Sequence, residues 1–314
     1  MHRLRPLASF VLFALIPLLL LLAACRSDPA HSGTTIDMAA DPRFVERPYS
    51  GALYVPTTYS ASSPAPLVVM LHGYGFPGEA QEIFFNWTPI AEAHGFLYVY
   101  PTGTIEPAGN MKPFWNATDA CCNYYGSTVD DSGYLAAMID DIAKHYAVDP
   151  KRIFVTGHSN GGFMAHRMAC EHADKIAAIM SLAGAQYLDE SKCTPSGPVS
   201  VLQVHGDADK TIGYNGGNAG LVDYPSAKQT VATWAKKNGC TGTLTATGER
   251  LDLVTDIDGA ETALAAYGGC PGNVAVDLWT VEKGGHVPTF QNVPSVSPNW
   301  GEEVWKWLSA HPKP

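Results

Sequence analysis

The stretch RIFVTGHSNGGFMAHRMAC, residues 152–170, places a serine between glycines at the junction of two predicted elements. The β-branched, apolar run before the serine predicts a buried strand, and the run after it predicts a helix. Gly157-His158-Ser159-Asn160-Gly161 matches G-x-S-x-G, the nucleophile elbow, in which the serine occupies a strained turn between strand and helix. A helix N-terminus rich in small residues is the alternative, but the strand before the serine favours the elbow. We therefore predict that Ser159 is a nucleophile.

Strand-like and helical segments alternate along the rest of the chain. Buried strands are predicted for PLVVMLHG, GFLYVYP, RIFVT, IAAIMSLAGA, VSVLQVHGDAD and VAVDLWTVEKGGH. Helices are predicted for YLAAMIDDIAKHYAVDP, stopping before Pro150, for GGFMAHRMACEHA, for SAKQTVATWAKKNG, ending at Gly239, and for NWGEEVWKWLSAH. Asp258-Gly259 between two strand-like runs predicts a hairpin. Apolar strands separated by helices indicate an α/β fold with a mostly parallel central sheet covered on both faces.

The N-terminus combines a short basic start, MHRLRP, with the apolar run LASFVLFALIPLLLLLAA. This pattern predicts a signal peptide over residues 1–24, and its short length and Pro17 disfavour an uncleaved membrane anchor. Small residues directly before Cys25 resemble the lipobox of bacterial lipoproteins, which implies that Cys25 is diacylated and becomes the mature N-terminus. The alternative is an ordinary secretory signal that ends near a chance cysteine. Either reading predicts export, as an anchored protein at the cell surface or in the periplasm or as a secreted one.

The mature chain is predicted to have two parts. The polar segment 25–43 predicts a flexible tether, and residues 44–314 predict a single catalytic domain.

Composition limits the partners of the mature chain. The 314 residues are 46% hydrophobic and only 16% charged, which is typical of a globular protein with one large core. Removal of residues 1–24 takes away two arginines and no acid, so the net charge changes from −10 to −12. We therefore expect a neutral substrate and no nucleic-acid partner. We also predict that the chain is a monomer.

Six cysteines follow Cys25, and an even number in an exported chain favours disulfides. Pairing Cys170 with Cys193 and Cys240 with Cys270 would close short loops between neighbouring elements. Cys121 and Cys122 are adjacent, so they are either a strained vicinal disulfide or two free thiols. No C-x-x-C pair occurs and the histidines are scattered, so we predict no metal site and no cofactor.

A serine nucleophile needs a histidine base and a carboxylate that orients the base. His286 in KGGHVP follows the last predicted strand and completes the chain order serine, acid, histidine. His158 adjoins the serine on a sharp turn and should point away from the hydroxyl, so we assign it to packing or support. The acid should follow a strand between Ser159 and His286, where the sequence offers Asp207 and Asp209. Spacing alone does not separate these two, and one of them could cap the turn.

The oxyanion formed during attack needs two hydrogen-bond donors. The N–H of Asn160, directly after the nucleophile, is one candidate. The other should lie in MLHGYG after an early strand, where we choose the Tyr74 N–H over that of Gly75. For the acyl group, the candidate pocket residues are Trp115, Tyr124, Tyr125 and Phe290, although these aromatic residues could equally pack the loops.

From Pro66 to the C-terminus the chain resembles the α/β-hydrolase esterases of the polyhydroxybutyrate depolymerase and feruloyl esterase group, including its lipoprotein members. The resemblance rests on VVMLHGYG, on the paired cysteines before STVDDSGYLAAMID, on residues 152–170, on VHGDADKTIGY, on the cysteines around the hairpin and on LWTVEKGGHVP. It implies an α/β-hydrolase fold, and it implies Asp209 as the acid, since the family's aspartate ends an H-G-x-x-D pattern.

The resemblance further implies hydrolysis of carboxylic esters through an acyl-enzyme. Related enzymes often carry a separate polymer-binding module behind a linker, whereas this sequence ends with its predicted hydrolase helix. We therefore expect short esters or soluble oligomers as substrates rather than insoluble polymer. Two other hypotheses remain open. The first is a serine peptidase or acyltransferase with the same triad, and the second is a non-catalytic surface binding protein that kept the fold.

Overall fold

The computed structural model describes residues 42–293 and 296–314. The predicted signal peptide, Cys25 and nearly all of the predicted tether lie outside the described residues. The first described helix begins at Pro42, and Phe44, where we placed the start of the domain, is already buried in the core. None of the helices in the described part of the chain is long and apolar enough to span a membrane.

Thirteen strands occur in the described residues. They are β1 (Leu53–Tyr54), β2 (Ala65–Leu71), β3 (Leu97–Val99), β4 (Thr104–Glu106), β5 (Lys112–Phe114), β6 (Val148–His158), β7 (Ala178–Leu182), β8 (Ser200–Gly206), β9 (Gly217–Asn218), β10 (Asp223–Tyr224), β11 (Leu244–Leu251), β12 (Thr262–Tyr267) and β13 (Val276–Val281). The helices are α1 (Pro42–Glu46), α2 (Gly78–Phe85), α3 (Thr88–His94), α4 (Asp131–His145), α5 (Asn160–Glu171), α6 (Ala227–Lys237) and α7 (Trp300–Ser309).

Nine of these strands form one sheet in the order β1-β3-β2-β6-β7-β8-β13-β12-β11. The six strands from β3 to β13 in this order pair in parallel. The outer strands pair antiparallel, β1 at one edge and β12 with β11 at the other. The predicted mostly parallel sheet is therefore confirmed, with an antiparallel hairpin added at one side.

Successive residues of the parallel strands point to two different cores, which explains their unbroken apolar character. In β2, Leu67 and Val69 pack into the core that contains residues of α4, α5 and α6. Val68 and Met70 pack into the core that contains residues of α2, α3 and α7. Because helices cover both faces, every residue of β2 is buried.

Two boundaries differ from the sequence prediction. The helix before Pro150 ends at His145, and β6 begins at Val148, so Pro150 lies inside a strand rather than after a helix. The predicted hairpin exists as β11 and β12, but ten residues connect the strands, and Asp258-Gly259 is only a part of that loop. The reason is that Leu253 and Val254 are buried and pair with the segment after His286, with Gln291 N–H donating to the Leu253 carbonyl at 2.7 Å.

Disulfides join the predicted pairs. Cys170 at the end of α5 is bonded to Cys193, and Cys240 after α6 is bonded to Cys270 after β12. Cys121 and Cys122 form a vicinal disulfide that is buried in the core. Of the two alternatives for the adjacent cysteines, the structure has the disulfide.

Candidate active site

The central feature of the site is the turn between β6 and α5. Ser159 is its single residue, with φ 54° and ψ −119°, a left-handed conformation that is strained for a residue with a side chain. The turn closes only because its neighbours are small: a Cβ at Gly157 would collide with the carbonyl of Gly161, and one at Gly161 would collide with the carbonyl of Leu71. The small neighbours therefore allow the predicted elbow to form. In this turn Ser159 is 7% exposed.

Two loops at the carboxyl ends of parallel strands bring a histidine and an acid to this serine. His286 follows β13, and its Nε2 lies 2.9 Å from Ser159 Oγ. Asp209 follows β8, and its Oδ2 lies 2.7 Å from His286 Nδ1. Since the carboxylate only accepts, His286 carries its proton on Nδ1 and presents a lone pair on Nε2 to the serine hydroxyl. The three residues lie in the arrangement that base-assisted attack by serine requires.

The two candidate acids have different partners. Asp207 Oδ1 accepts a hydrogen bond from the backbone N–H of Lys283 at 2.6 Å and so fastens the loop before His286. Asp209 Oδ1 instead accepts from the N–H groups of Thr211 at 2.8 Å and Ile212 at 2.9 Å, which leaves Oδ2 for His286. The structure brings Asp209, and not Asp207, to the histidine.

The surroundings of Asp209 keep its carboxyl ionised. Burial on its own raises the pKa of this group, but hydrogen bonds from His205 and His286, together with the Ile212 N–H, outweigh burial and hold the pKa below the ordinary value. An ionised acid is what fixes the tautomer of His286 and stabilises its protonated form during attack.

His158 has the supporting role that the sequence suggested. Its Nε2 donates to the backbone carbonyl of His286 at 2.9 Å, and the two rings lie 4.9 Å apart. Burial lowers the pKa of His158 to about 3, so the ring is neutral near pH 7 and donates without adding a charge beside His286. His158 therefore holds the backbone of the base and does not contact the serine hydroxyl as a base itself.

The loop after β2 lies against the serine. A Cβ at Gly73 would lie 3.6 Å from the Cβ of Ser159, so the next residue, Tyr74, also begins beside the nucleophile. The Gly75 N–H is already bonded to the Pro113 carbonyl at 2.8 Å, whereas the Tyr74 N–H donates to no acceptor among the described residues. The Asn160 N–H is the first of α5, where helices have no internal acceptor and the helix dipole favours an anion. Both predicted oxyanion donors are thus available next to Ser159.

The Asn160 side chain has a task that the sequence analysis missed. Its Oδ1 accepts from the backbone N–H of Trp115 at 2.7 Å, and its Nδ2 donates to the Trp115 carbonyl at 3.0 Å. The Trp115 indole donates in turn to the carbonyl of His72 at 3.1 Å. These bonds fasten the loop that carries Tyr74 to the start of α5, and no spacing in the sequence indicated them.

Two of the four aromatic residues suggested for the pocket do not line it. Trp115 is completely buried beneath the Tyr74 loop, and Phe290 is stacked on Trp300 at 4.0 Å in the core. For these two residues the structure has the alternative that the sequence left open, in which the aromatic side chains serve packing. Tyr124 and Tyr125 are exposed, and the ring of Tyr124 meets that of Tyr74 edge-on at 5.2 Å. These two tyrosines remain candidate walls of the pocket.

The chain is similar in sequence to several known proteins. The model of the phospholipase/carboxylesterase family matches residues 56–221, just over half of the chain. Feruloyl esterase B of Piromyces equi is 29% identical over 74% of this chain, and poly(3-hydroxyalkanoate) depolymerase C of Paucimonas lemoignei is 28% identical over 74%. The alignments take in 41% and 57% of those two proteins, so the chain spans about half of the length of these curated relatives.

A solved structure shows the same fold. An acetyl xylan esterase from Aspergillus awamori superposes with a TM-score of 0.57 and 18% identity, covering 82% of this chain and 93% of that one. At this level of identity the likeness concerns the fold alone, and it confirms the predicted α/β-hydrolase architecture.

Proposed function

Because the chain belongs to the phospholipase/carboxylesterase family of α/β-hydrolases, we propose that it is an exported serine esterase. The observation that carries the proposal is the hydrogen-bonded series from Ser159 through His286 to Asp209 at the carboxyl ends of three parallel strands. Its substrates are carboxylic esters of short acyl chains, of hydroxyalkanoate oligomers, or of feruloyl or acetyl groups. The names of the two curated relatives support this substrate class.

The reaction proceeds by acyl transfer. His286 takes the proton of Ser159 as its Oγ attacks the ester carbonyl, while Asp209 stabilises the imidazolium that forms. The N–H groups of Tyr74 and Asn160 hold the tetrahedral oxyanion. The protonated histidine then delivers its proton to the departing alcohol, and water repeats the sequence on the acyl-enzyme. Apart from the ester and water, every step uses groups of the chain itself, so the proposed mechanism needs no metal or organic cofactor.

The location proposed for the enzyme is outside the cytoplasm. The signal-peptide pattern of residues 1–24 and three disulfides support export, because disulfides persist in oxidising compartments. Diacylation of Cys25 would anchor the domain to a membrane through the polar segment 25–43. We propose a monomer that meets its neutral ester substrate in solution near that surface.

A rate panel tests the function. Purified protein is assayed on acetyl, butyryl, hydroxybutyryl and feruloyl esters beside the Ser159→Ala variant. We expect the variant to lose up to about 10⁶-fold in kcat, the scale seen for removal of a triad serine. A correctly folded Ser159→Ala variant that retains most of its activity would contradict the assignment of the nucleophile.

Two further assays separate the alternatives. Peptide and acyl-acceptor substrates distinguish a peptidase or an acyltransferase, which would use the same triad with another leaving group or acceptor. A fluorophosphonate probe distinguishes a non-catalytic binding protein, since only an activated serine reacts rapidly with it. Absence of labelling in a folded sample would favour the binding protein over the esterase.

A further inference from the structure

Behind the triad lies a series of buried polar side chains that the proposed mechanism does not use. It runs from Trp234 on α6 through His166 on α5 to Gln203 and His205 on β8. All four side chains are buried, with at most 1% exposure. Buried polar groups are costly unless they are paired, so a series of four in an otherwise apolar core calls for an explanation.

The direction of these hydrogen bonds is fixed from the Trp234 end, because an indole N–H can only donate. It donates to His166 Nδ1 at 3.0 Å, so His166 carries its proton on Nε2 and donates to Gln203 Oε1 at 3.0 Å. The amide nitrogen of Gln203 then donates to the Gly184 carbonyl at 2.9 Å and to His205 Nδ1 at 3.3 Å. His205 is thereby left with its proton on Nε2.

The other end of the series requires the same tautomer. His205 Nε2 lies 2.8 Å from the carbonyl of Ile212, which can only accept, and 3.5 Å from Asp209 Oδ2. With the proton on Nδ1 instead, a ring lone pair would face two oxygens across those distances. The two ends of the series agree, and the Trp234 indole at one end with the Ile212 carbonyl at the other is enough to determine the protonation pattern.

His205 thus holds the acid in two ways. Its Nε2–H donates to the Ile212 carbonyl, and the Ile212 N–H donates to Asp209 Oδ1 at 2.9 Å. Ile212 therefore links the imidazole to the carboxylate. The same N–H also faces the oxygen that accepts from His286. Two imidazoles, one on β8 and one in the loop after β13, therefore point N–H groups at one carboxylate oxygen.

We propose that His205 is a positioning residue for Asp209, and that Trp234, His166 and Gln203 serve to keep His205 in its Nε2–H tautomer. This inference rests on the proposed function, because it assigns the series to the acid of the triad.

The kinetic test measures the rate constant for labelling of Ser159 by a fluorophosphonate. We expect His205→Leu to lower it by about 10- to 100-fold, since small displacements of catalytic groups carry costs of this size. His205→Gln, whose amide can donate from the position of Nε2, should recover most of that loss. A folded Leu variant that labels at the wild-type rate, or a Gln variant as slow as the Leu variant, overturns the inference.

The far end of the series has a matched control. Trp234→Phe removes one buried N–H and should slow labelling at least threefold, by freeing His166 Nδ1. Trp87→Phe removes an equally buried indole N–H that has no hydrogen-bond partner among the described residues, and it should stay near the wild-type rate. Equal rates for the two variants would argue against a role for the series.

Long-range proton–nitrogen spectra of histidine-labelled protein test the tautomer directly. We expect Nε2–H for both His166 and His205 in the wild type, because the hydrogen bonds of the series require this pattern. The spectra test the premise of the inference, and the rates of the Leu and Gln variants test the positioning role. Nδ1–H at His205 overturns the inference even if the Leu variant fails to fold. Failure of the wild-type protein to label at all counts against the proposed esterase, whereas labelling that is insensitive to His205 counts against the positioning role alone.

Discussion

The parallel strands and the antiparallel hairpin belong to one sheet, but they differ in burial and in function. Every residue of β8 is buried, whereas most residues of β11 are exposed. Ser159, Asp209 and His286 all follow parallel strands, and no triad residue lies on β11 or β12. Packing on both faces fixes the carboxyl end of a strand, and it therefore also fixes the position of the first residues of the loop that follows. The hairpin widens the sheet without contributing to the triad.

After the loss expected for Ser159→Ala, the largest effect within the parallel part concerns the acid after β8. Asp209→Asn should lower kcat by about 10⁴-fold, because an amide no longer fixes the tautomer of His286 or stabilises its charge. Asp207→Asn keeps an acceptor for the Lys283 N–H and should change kcat less than tenfold. Steady-state kinetics on one ester measure both variants, and similar losses in the two would refute the choice of Asp209.

The same Leu→Ala substitution in a parallel strand and in the hairpin tests how differently the two regions are packed. Leu202→Ala in β8 empties space between packed elements and should lower the free energy of unfolding by about 3 kcal/mol or more. Leu264→Ala in β12, where the side chain is half-buried, should cost about half as much. Urea denaturation of both variants provides the measurement. Equal losses would mean that the hairpin is as tightly packed as the parallel strands.

The smallest effect expected for a single side chain is a dependence of stability on pH, which originates in buried histidines at or beside the parallel strands. Burial lowers the pKa of His72 and of His166 to about 4 and that of His158 to about 3, below the value of 6.5 expected in the unfolded chain. The unfolded state therefore binds protons first as the pH falls, so stability is full above pH 6.5 and decreases toward pH 4. Each histidine contributes on the order of 1–2 kcal/mol between pH 7 and pH 5.

Denaturation at pH 7 and pH 5 checks this dependence. His72→Gln, which keeps an acceptor for the Gly103 N–H, should reduce the difference between the two pH values by one histidine's share. His145→Gln alters an exposed histidine and should leave the difference as it is. If the wild-type protein is equally stable at both pH values, the buried histidines are not neutral in the folded state.

Much of this arrangement could be predicted from the sequence, because local pattern and chain order carry it. The run from β6 through Ser159 into α5 changes its apolar period at the serine, and the parallel sheet follows from unbroken apolar strands. His286 and the region of Asp209 were found by order along the chain, but the choice between Asp207 and Asp209 needed the family resemblance, since both lie in one loop. Only the structure shows that Lys283 occupies the first of them.

What the sequence did not predict depends on contacts between distant elements. The bonds of Asn160 to Trp115 and of Trp234 to His166 span 45 and 68 residues, and no periodicity reports them. One signal was present in β8, where Gln203 and His205 are polar residues two apart in an apolar strand and so share a face. The sequence left the roles of Trp115 and Phe290 open, since an aromatic residue is equally suited to a core and to a pocket.

The packing of Gly157 and Gly161 has a consequence for engineering the protein. Because any side chain at these positions meets backbone atoms, libraries that randomise the elbow will consist mostly of unfolded members. Productive diversity is available instead at exposed positions near Tyr74 and His286, such as Phe76, Tyr124, Tyr125 and Val287. Selection for activity on a new ester would therefore change these exposed loop residues and keep the glycines of the elbow.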